Sequence, residues 1–189
     1  MKKFEDYDES ELLRKYPFMQ QRNVFTGEID KENIGKTYFN WCPEAWIPIL
    51  IAWCEEILPE YNSFSDMKQK QFRILDIKEK YGSLRIDTTL YSEKLSLATW
   101  KAGARAELTC YTCGKQPRNS KGEHMIWESR GWIFPYCKEC AKKYYFERCK
   151  HDVPFQKVFN RYVCKGNKIY IKSSGQDGCK ITACELGEW

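Results

Sequence analysis

The most regular pattern of apolar positions in this chain lies between residues 41 and 58. Five large apolar side chains recur at the i, i+3, i+4 and i+7 spacing that gives a helix one buried face: Trp46, Ile49, Leu50, Trp53 and Ile57. This tract is therefore predicted to be an amphipathic helix. Pro43 and Pro48 are tolerated near the start of a helix, whereas Pro59 is expected to end it.

Two short segments with strand-like alternation follow and predict a β-hairpin. The apolar residues of each segment share one parity and would form one face: Leu75 and Ile77 in 72–77, and Leu84 and Ile86 in 84–89. Between the segments lies Gly82, which can take the positive φ of a tight turn. Charged side chains would occupy the polar face, where cross-strand ion pairing is the simplest role for them: Asp76, Lys78, Lys80, Arg85 and Asp87.

Helical patterns are also found on both sides of this hairpin. A short helix is predicted near residues 9–16. Ser92 can cap a further helix that continues to about residue 107, with small and apolar residues along one face: Leu95, Ala98, Ala102 and Ala106. Towards the C-terminus the chain is expected to form one helix and a second hairpin: helix 141–148 and strands 161–164 and 168–172.

The order of these elements predicts one composite α+β domain. It would be a small antiparallel sheet with packed helices and an integrated zinc finger of treble-clef or ribbon type. Four segments are distinguished within it: an acidic N-terminal region at 1–40, a helix–hairpin–helix core at 41–108, a zinc module at 109–148 and a C-terminal β-hairpin extension at 149–189.

Charge is distributed unevenly along the chain, whose formal net charge is +5. Residues 1–60 carry 7 Lys/Arg and 12 Asp/Glu, whereas residues 61–189 carry 24 Lys/Arg and 14 Asp/Glu. The basic part suits an anionic partner such as nucleic acid, although scattered charges are also typical of a solvated surface. Aromatic residues make up 15% of the chain, and this high content supplies apolar area for a core or for an interface.

The compartment expected from the sequence is a reducing one. No apolar run reaches the length of about 18 residues that a transmembrane helix needs. The N-terminus turns acidic after Lys3 and lacks the apolar stretch of a signal peptide. The protein is therefore expected in the cytoplasm without membrane attachment. There its ten cysteines would be metal ligands and core residues rather than disulfide partners.

The strongest chemical signal is a pair of Cys-x-x-Cys motifs. Cys110 and Cys113 form the first, Cys137 and Cys140 form the second, and 23 residues separate them. Four thiolates at this spacing can close a tetrahedral site for one structural Zn²⁺ ion. Because such a site has no open position for water or substrate, the motif predicts stabilised architecture rather than catalysis.

The residues around the two motifs indicate the type of zinc finger. Gly114 follows the first pair and lets the backbone turn so that amides point at sulfur. The second pair lies where a helix should begin, and the segments 125–127 and 132–134 suit a β-hairpin between the pairs. Knuckle, hairpin and helix is the order of a treble clef. A zinc ribbon, with a second hairpin in place of the helix, is the neighbouring alternative.

A second set of cysteines gives a much weaker metal signal. Their spacings are wide, and His151 is the additional ligand that would join them: Cys149, Cys164, Cys179 and Cys184. Ordinary buried cysteines are the favoured interpretation, so one zinc ion is expected rather than two.

Catalytic signatures are missing from the sequence. An HNH-type nuclease, which is a treble clef with structural cysteine pairs, also needs a catalytic His, an orienting Asn and a metal-binding His or Asn. Only His124 lies between the two cysteine pairs, and the segment 142–148 offers neither His nor Asn. No P-loop, HExxH, GxSxG or GxGxxG motif is present. The prediction is a protein without enzymatic activity and without catalytic residues.

The middle of the chain resembles a group of small, uncharacterised phage and prophage-associated zinc-binding proteins. Residues 77–86, Ile-Lys-Glu-Lys-Tyr-Gly-Ser-Leu-Arg-Ile, are similar to the KEK-aromatic-G-x-LR segment of that group. A helix, a Cys-x-x-Cys-Gly knuckle, a Gly-Trp pair and a closing Cys-x-x-Cys follow in those proteins, as they do here between residues 92 and 140. The resemblance covers roughly 41–145. It implies a bacterial or phage origin and a structural zinc, but it points to no known activity.

The leading hypothesis from the sequence is therefore a non-enzymatic, zinc-stabilised binding protein that modulates a protein partner. Its abundant Trp and Tyr motivate this choice, because aromatic anchors dominate protein interfaces. Binding of nucleic acid through the basic region 61–189 is the alternative, and metal-dependent nuclease activity ranks third. The candidate surfaces are the hairpin at 78–85, the aromatic segment 127–134 and the two ends of the chain.

Overall fold

The computed structural model describes most of the chain and divides it into two compact parts. Side chains are described for residues 3–118, 120, 122, 124–128 and 133–144, and the backbone also for 145–147, 155–158, 162–165 and 168–171. The two compact units are Met1–Glu107 and Leu108–Trp189, called unit 1 and unit 2 here.

Unit 1 combines helices with one hairpin. Its α-helices and strands follow in this order: α1 Glu9–Lys15, α2 Ile47–Asn62, α3 Asp66–Gln71, β1 Ile74–Lys80, β2 Ser83–Thr88 and α4 Glu93–Glu107. Short 3-10 turns connect or precede them at Phe4–Asp6, Pro17–Met19, Lys31–Asn33, Tyr38–Trp41 and Glu44–Trp46. Helices α1 and α4 and strand β2 lie where the sequence pattern predicts them, whereas β1 begins and ends later than the predicted range 72–77.

Unit 2 is built around short strands and one helix. Its elements are β3 Met125–Glu128, β4 Pro135–Tyr136, α5 Lys138–Glu147, β5 Phe155–Val158, β6 Tyr162–Lys165 and β7 Lys168–Ile171. Strands β4, β3 and β5 form one antiparallel sheet, and β6 pairs with β7 in another. The mixture of helices and small antiparallel sheets confirms the predicted α+β class. No helix of the described residues is long and apolar enough to cross a membrane.

Helix α2 carries the predicted apolar stripe but does not end where expected. Trp46, at its N-terminal boundary, is fully buried, and Leu50, Trp53 and Ile57 along the helix are also almost inaccessible. The prediction that Pro59 stops the helix is wrong, because α2 continues through it to Asn62. Proline removes one backbone hydrogen bond from the helix. The last helical turn is nevertheless kept, because it places the Tyr61 ring in an aromatic cluster.

The hairpin of β1 and β2 has the predicted turn but a modified face. Tyr81 and Gly82 have φ values of 53° and 77°, a pair of positive values that suits a two-residue turn between twisted strands. The register shifts between Ile74 and Asp76, so Ile74 rather than Leu75 is buried together with Ile77. A local irregularity of this kind reverses side-chain parity, which alternation alone does not show.

The charged face of the hairpin also departs from the cross-strand ion pairing that was predicted. Lys78 lies opposite Arg85, and Asp76 lies opposite Asp87, so residues of like charge face each other. The ion pair is formed within β1, between Lys78 and Asp76. Its hydrogen bond and charge raise the pKa of Lys78.

Helix α4 packs closely against both α2 and β2. Its predicted stripe is confirmed, because Leu95, Ala98, Ala102 and Ala106 are all buried. The cap is confirmed as well, since the Leu95 N–H donates to Ser92 Oγ at 3.2 Å. At Gly103 the helix approaches β2 so closely that an added Cβ would lie 3.1 Å from Ser83 Oγ and 3.2 Å from the Leu84 carbonyl oxygen.

The N-terminal residues contribute directly to the core of unit 1. Tyr16, Phe18, Met19, Tyr38 and Phe39 are buried. The Phe18 ring lies 6.2 Å from the Trp53 ring in an edge-on arrangement, with Tyr61 and Phe72 also in contact. The acidic segment 1–40 therefore supplies aromatic packing to the helix–hairpin core.

Candidate metal centre

The first cysteine pair lies on a tight knuckle just after unit 1 ends. Gly114 adopts a φ of 70°, and its N–H donates to the Cys110 carbonyl at 2.9 Å. Across the knuckle, the Cys110 N–H donates to the Lys115 carbonyl at 2.8 Å. A residue with a Cβ is strained at such a φ, so glycine permits the turn that brings both sulfurs to one side.

The second pair lies at the junction of β4 and α5. Cys137 follows the last residue of β4, and Cys140 lies in the first turn of α5. The Ala141 N–H donates to the Cys137 carbonyl at 2.8 Å and closes that turn. A further bond, from the Tyr111 N–H to the Pro135 carbonyl at 2.7 Å, holds the first knuckle against β4. The two pairs therefore meet because the hairpin returns the chain to the knuckle.

All four cysteine sulfurs lie within 4.8 Å of one another. The distance between Cys113 Sγ and Cys137 Sγ is 3.7 Å, well beyond the roughly 2.05 Å of a disulfide. Four thiolates around Zn²⁺ at about 2.3 Å, arranged tetrahedrally, would be separated by about 3.8 Å. The cluster thus has the dimensions to bind one metal ion, and the sequence-predicted set is brought together completely: Cys110, Cys113, Cys137 and Cys140.

The cluster is largely shielded from water. Cys110 and Cys137 are buried, whereas Cys113 and Cys140 are half-buried. Ala141 and several aromatic side chains pack around it, among them Trp127 and Tyr136. A metal held by four such sulfurs would have no ligand position left for a substrate.

The protonation of the thiols shows what a cation would change. Burial raises the pKa of Cys137, and it raises the pKa of Cys140 to about 12. Burial acts in the same direction on Cys113, but hydrogen bonds from the Lys115 N–H and the neighbouring thiols lower the pKa of Cys113 overall. The Cys113 sulfur is therefore favoured as a thiolate, whereas Cys137 and Cys140 need a nearby positive charge to lose their protons.

His124, the histidine between the pairs, lies apart from the cysteine cluster. Its side chain is 1% exposed, next to a bridge between its backbone and that of Arg118. Burial, with a smaller contribution from the Arg118 charge, lowers the pKa of His124 to about 4. The imidazole is consequently neutral at physiological pH and shielded from solvent.

The remaining cysteines divide into buried ones and undescribed ones. Cys42 and Cys54 are buried in unit 1, and burial raises the pKa of each thiol, in agreement with the predicted core role. The candidates for a second site lie outside the described side chains: Cys149, His151, Cys164, Cys179 and Cys184.

Three details of the predicted module change in the structure. The hairpin partner of β3 is Pro135–Tyr136, so Ile133 and Phe134 precede the second strand instead of forming it. In addition, β5 joins the other edge of β3, a pairing that the sequence pattern did not indicate. The helix expected after Cys140 begins earlier, at Lys138, and it is present in place of a second hairpin.

An aromatic pocket lies beside the cysteine cluster. The sequence pattern did not predict it, although one of its residues, Phe134, belongs to the candidate segment 127–134. The pocket has a volume of about 460 Å³, and aromatic rings form most of its wall: Tyr111, Phe134, Tyr136 and Tyr144. The sequence feature that could have indicated this pocket is the position of aromatic residues next to the cysteines: Tyr111 follows Cys110, and Tyr136 precedes Cys137.

Comparison of the chain with protein-family models, with curated proteins and with solved structures gives no match. The function must therefore be argued from the cysteine cluster and its surroundings.

Proposed function

We propose that this protein is a non-enzymatic binding protein whose unit 2 is a treble-clef finger stabilised by one structural zinc ion. The observation that carries the proposal is the convergence of four cysteine sulfurs within 4.8 Å. A complete sulfur set leaves the metal no open position, which is the property that distinguishes structural from catalytic zinc sites.

Zinc is the metal that this donor set suits best. Four thiolates in tetrahedral arrangement are typical of zinc or of iron–sulfur centres. The sequential order of knuckle, β3–β4 hairpin and helix α5 supports a treble clef with zinc, because each cysteine pair lies on a turn that directs both sulfurs inward. If the purified protein contained iron instead of zinc, the four cysteines would hold an iron centre and the proposal of zinc would be wrong.

The surroundings of His124 support a role without catalysis. A nuclease of the HNH type needs an accessible histidine as general base, beside a metal that retains open positions. The His124 side chain is buried and therefore inaccessible to a substrate. Its lowered pKa keeps the imidazole neutral at physiological pH. The candidate general base from the sequence thus lacks the access that the reaction requires.

A binding role follows from what the metal centre holds in place. The cysteine cluster positions a knuckle, a strand and a helix whose aromatic side chains form one pocket. Pockets of this volume are within the range used for ligands. The resemblance to phage and prophage proteins supports a bacterial or phage setting for this role.

Metal analysis of the purified, reduced protein tests the proposal directly. We expect about one zinc per chain and almost none in Cys113→Ser, because loss of one thiolate opens the site. Structural zinc contributes roughly 10 kcal/mol or more to the folding of small modules, so unit 2 should also lose its cooperative unfolding.

The matched control is Cys42→Ser, which alters a buried cysteine of unit 1 outside the cluster. This variant should retain its zinc even if unit 1 becomes less stable. Substoichiometric metal in the wild-type protein with all cysteines reduced, or full zinc retention by Cys113→Ser, would contradict the structural zinc site.

A further inference from the structure

The aromatic pocket of unit 2 is open to solvent rather than a closed apolar cavity. Tyr136 is almost fully buried, whereas Tyr111, Phe134 and Tyr144 are half-buried and retain accessible surface. Lys143 is exposed and also lines the pocket. The site therefore combines flat apolar surfaces with a cationic side chain.

The rings form a continuous series along the pocket wall. Tyr111 and Phe134 have centroids 4.5 Å apart with planes inclined at 37°, and Tyr136 and Tyr144 are stacked at 5.2 Å and 24°. Phe134 and Tyr136 join the two pairs, with centroids 6.2 Å apart. Neighbouring rings constrain one another, so their faces are held in place before a ligand arrives.

The net charge of unit 2 indicates which class of flat ligand the aromatic wall of the pocket would bind. Residues 108–189 carry 15 Lys/Arg and 8 Asp/Glu, and the described lysines near the knuckles are exposed: Lys115, Lys138, Lys142 and Lys143. A zinc–tetrathiolate centre would contribute about −2, which leaves the unit positive. A cationic guest, although favoured by aromatic faces, would meet Lys143 in the wall.

We infer that this pocket binds unpaired bases of single-stranded nucleic acid, with Lys143 next to the phosphate backbone. Every base has a π-face that can stack on tyrosine or phenylalanine, and a lysine beside the rings attracts the phosphates that connect the bases. Bases within a duplex are already stacked and do not offer their faces. This inference rests on the proposed binding function and names its ligand class.

The combination of stacking and positive charge favours nucleic acid over the protein partner that ranked first in the sequence analysis. Aromatic rings alone would serve either partner, because they are also enriched at protein interfaces. The excess of basic residues in unit 2 lies in the same part of the chain as the rings, and it matches a polyanion.

Fluorescence anisotropy with a labelled oligothymidine, compared with a labelled duplex, tests the inference at low salt. The zinc-loaded protein should bind the single strand at least tenfold more tightly than the duplex. Phe134→Leu should weaken binding of the single strand by roughly tenfold, whereas Phe134→Tyr, which keeps a stacking face, should bind nearly as well as the wild type.

A second pair of variants keeps the test valid if Phe134→Leu does not fold. Tyr144→Leu on α5 should weaken binding, and Tyr144→Phe should not. Tyr91→Leu removes a highly exposed ring from unit 1 and serves as the control without effect. Zinc content measured for every variant separates a lost ligand site from a lost metal centre.

Salt dependence tests the contribution of Lys143. In Lys143→Gln the slope of log affinity against log salt should fall by about 0.7, the change expected for one phosphate contact on a single strand. Zinc-loaded protein that fails to bind the oligonucleotide, binds duplex equally well, or is unaffected by Phe134→Leu would overturn the inference while leaving the structural zinc intact. Absence of zinc would instead overturn the proposed function.

Discussion

Glu55 joins the N-terminal segment of unit 1 to helix α2. Tyr16 Oη donates to Glu55 Oε1 at 2.6 Å, and Lys15 Nζ forms an ion pair with the same carboxylate. The hydrogen bonds from Lys15 and Tyr16 lower the pKa of Glu55, and burial together with the bond to Glu55 raises the pKa of Tyr16 to about 12. One carboxylate thus serves two donors.

This arrangement predicts a specific pH dependence for Glu55→Gln. A carboxyl group whose pKa is lowered in the folded state stabilises the fold above its unfolded pKa, near 4.3, and loses that contribution as pH falls through the folded pKa. Glu55→Gln should therefore be less stable than the wild type at pH 7, by a small amount because the Glu55 side chain is 46% exposed and solvent screens its ion pair. Urea unfolding of unit 1, followed by tryptophan fluorescence, measures the difference.

The difference between the two proteins should shrink as pH falls below the unfolded pKa of about 4.3, because the stabilisation is lost as pH falls through the lowered pKa of Glu55 in the folded state. Any metal held by the thiolates would be lost from both proteins in acid, so the difference in stability between them at each pH is the informative quantity. An equal difference at pH 7 and pH 3 would show that the substitution acts through packing rather than charge.

Close contact between α4 and β2 is the main constraint at the scale of elements. At Gly103 even a Cβ would be crowded, because it would lie 3.1 Å from Ser83 Oγ and 3.2 Å from the Leu84 carbonyl oxygen. Ser83 Oγ also donates to the Gly103 carbonyl at 3.3 Å, so the two elements are hydrogen-bonded at this point. The helix could not pack here with a larger residue unless β2 shifted.

We expect Gly103→Val to lower the free energy of unfolding of unit 1 by about 2–3 kcal/mol, because overpacking outweighs any gain in helix propensity. Chemical denaturation measures the change. Ser96→Val places the same side chain at an exposed position of α4 and should cost only a few tenths of a kcal/mol. Equal effects of the two substitutions would contradict the close contact.

Helix α2 contains Pro59 in its interior, whereas the sequence pattern predicts that this proline ends the helix. We expect Pro59→Ala to raise the stability of unit 1 by about 1 kcal/mol, because it restores a backbone hydrogen bond and the gain exceeds the loss of chain stiffness in the unfolded state. Thermal or urea unfolding measures this change.

Pro48, in the first turn of α2, is the matched control for Pro59. Its missing N–H has no partner within the helix, so Pro48→Ala should leave stability nearly unchanged or slightly reduced. A loss of stability in Pro59→Ala would show that the proline fits the last turn better than a regular residue.

At the scale of the whole molecule, the described residues give each of the two units buried side chains of its own. Unit 1 is held by buried aromatic and aliphatic side chains of α2, α4 and the β1–β2 hairpin, none of which belongs to the cysteine cluster. In unit 2 the described buried cluster surrounds the cysteines themselves. Metal removal should therefore act on one unit far more than on the other.

Hydrogen exchange after zinc chelation tests this difference. Amides of β3 and α5 should lose most of their protection, whereas amides of α2 and α4 should keep theirs, because a structural metal contributes to the folding of the unit that binds it. Restored zinc should return the protection of unit 2. Simultaneous loss of protection in α2 would mean that the whole chain depends on the metal.

Local patterns in the sequence were sufficient to predict much of unit 1 and the four cysteines that the fold brings together. The spacing of Trp46 to Ile57 indicates α2, and Ser92 marks the start of α4, because these signals depend on neighbouring residues along the chain. The cysteine motifs identify all four residues of the cluster, since Cys-x-x-Cys spacing is itself the geometry of a knuckle.

Tertiary structure decided the features that depend on residues distant in sequence. Contacts of the Tyr61 ring carry α2 past Pro59, and a register shift selects Ile74 over Leu75 for the core. The aromatic pocket is formed because the knuckle, β4 and α5 bring Tyr111, Tyr136 and Tyr144 together around the cysteines. Sequence alone thus determined which residues can hold a metal. The folded chain determined which surface such a metal would support. A surface of this kind is built by segments that are distant in sequence, and local sequence patterns do not show how distant segments pack.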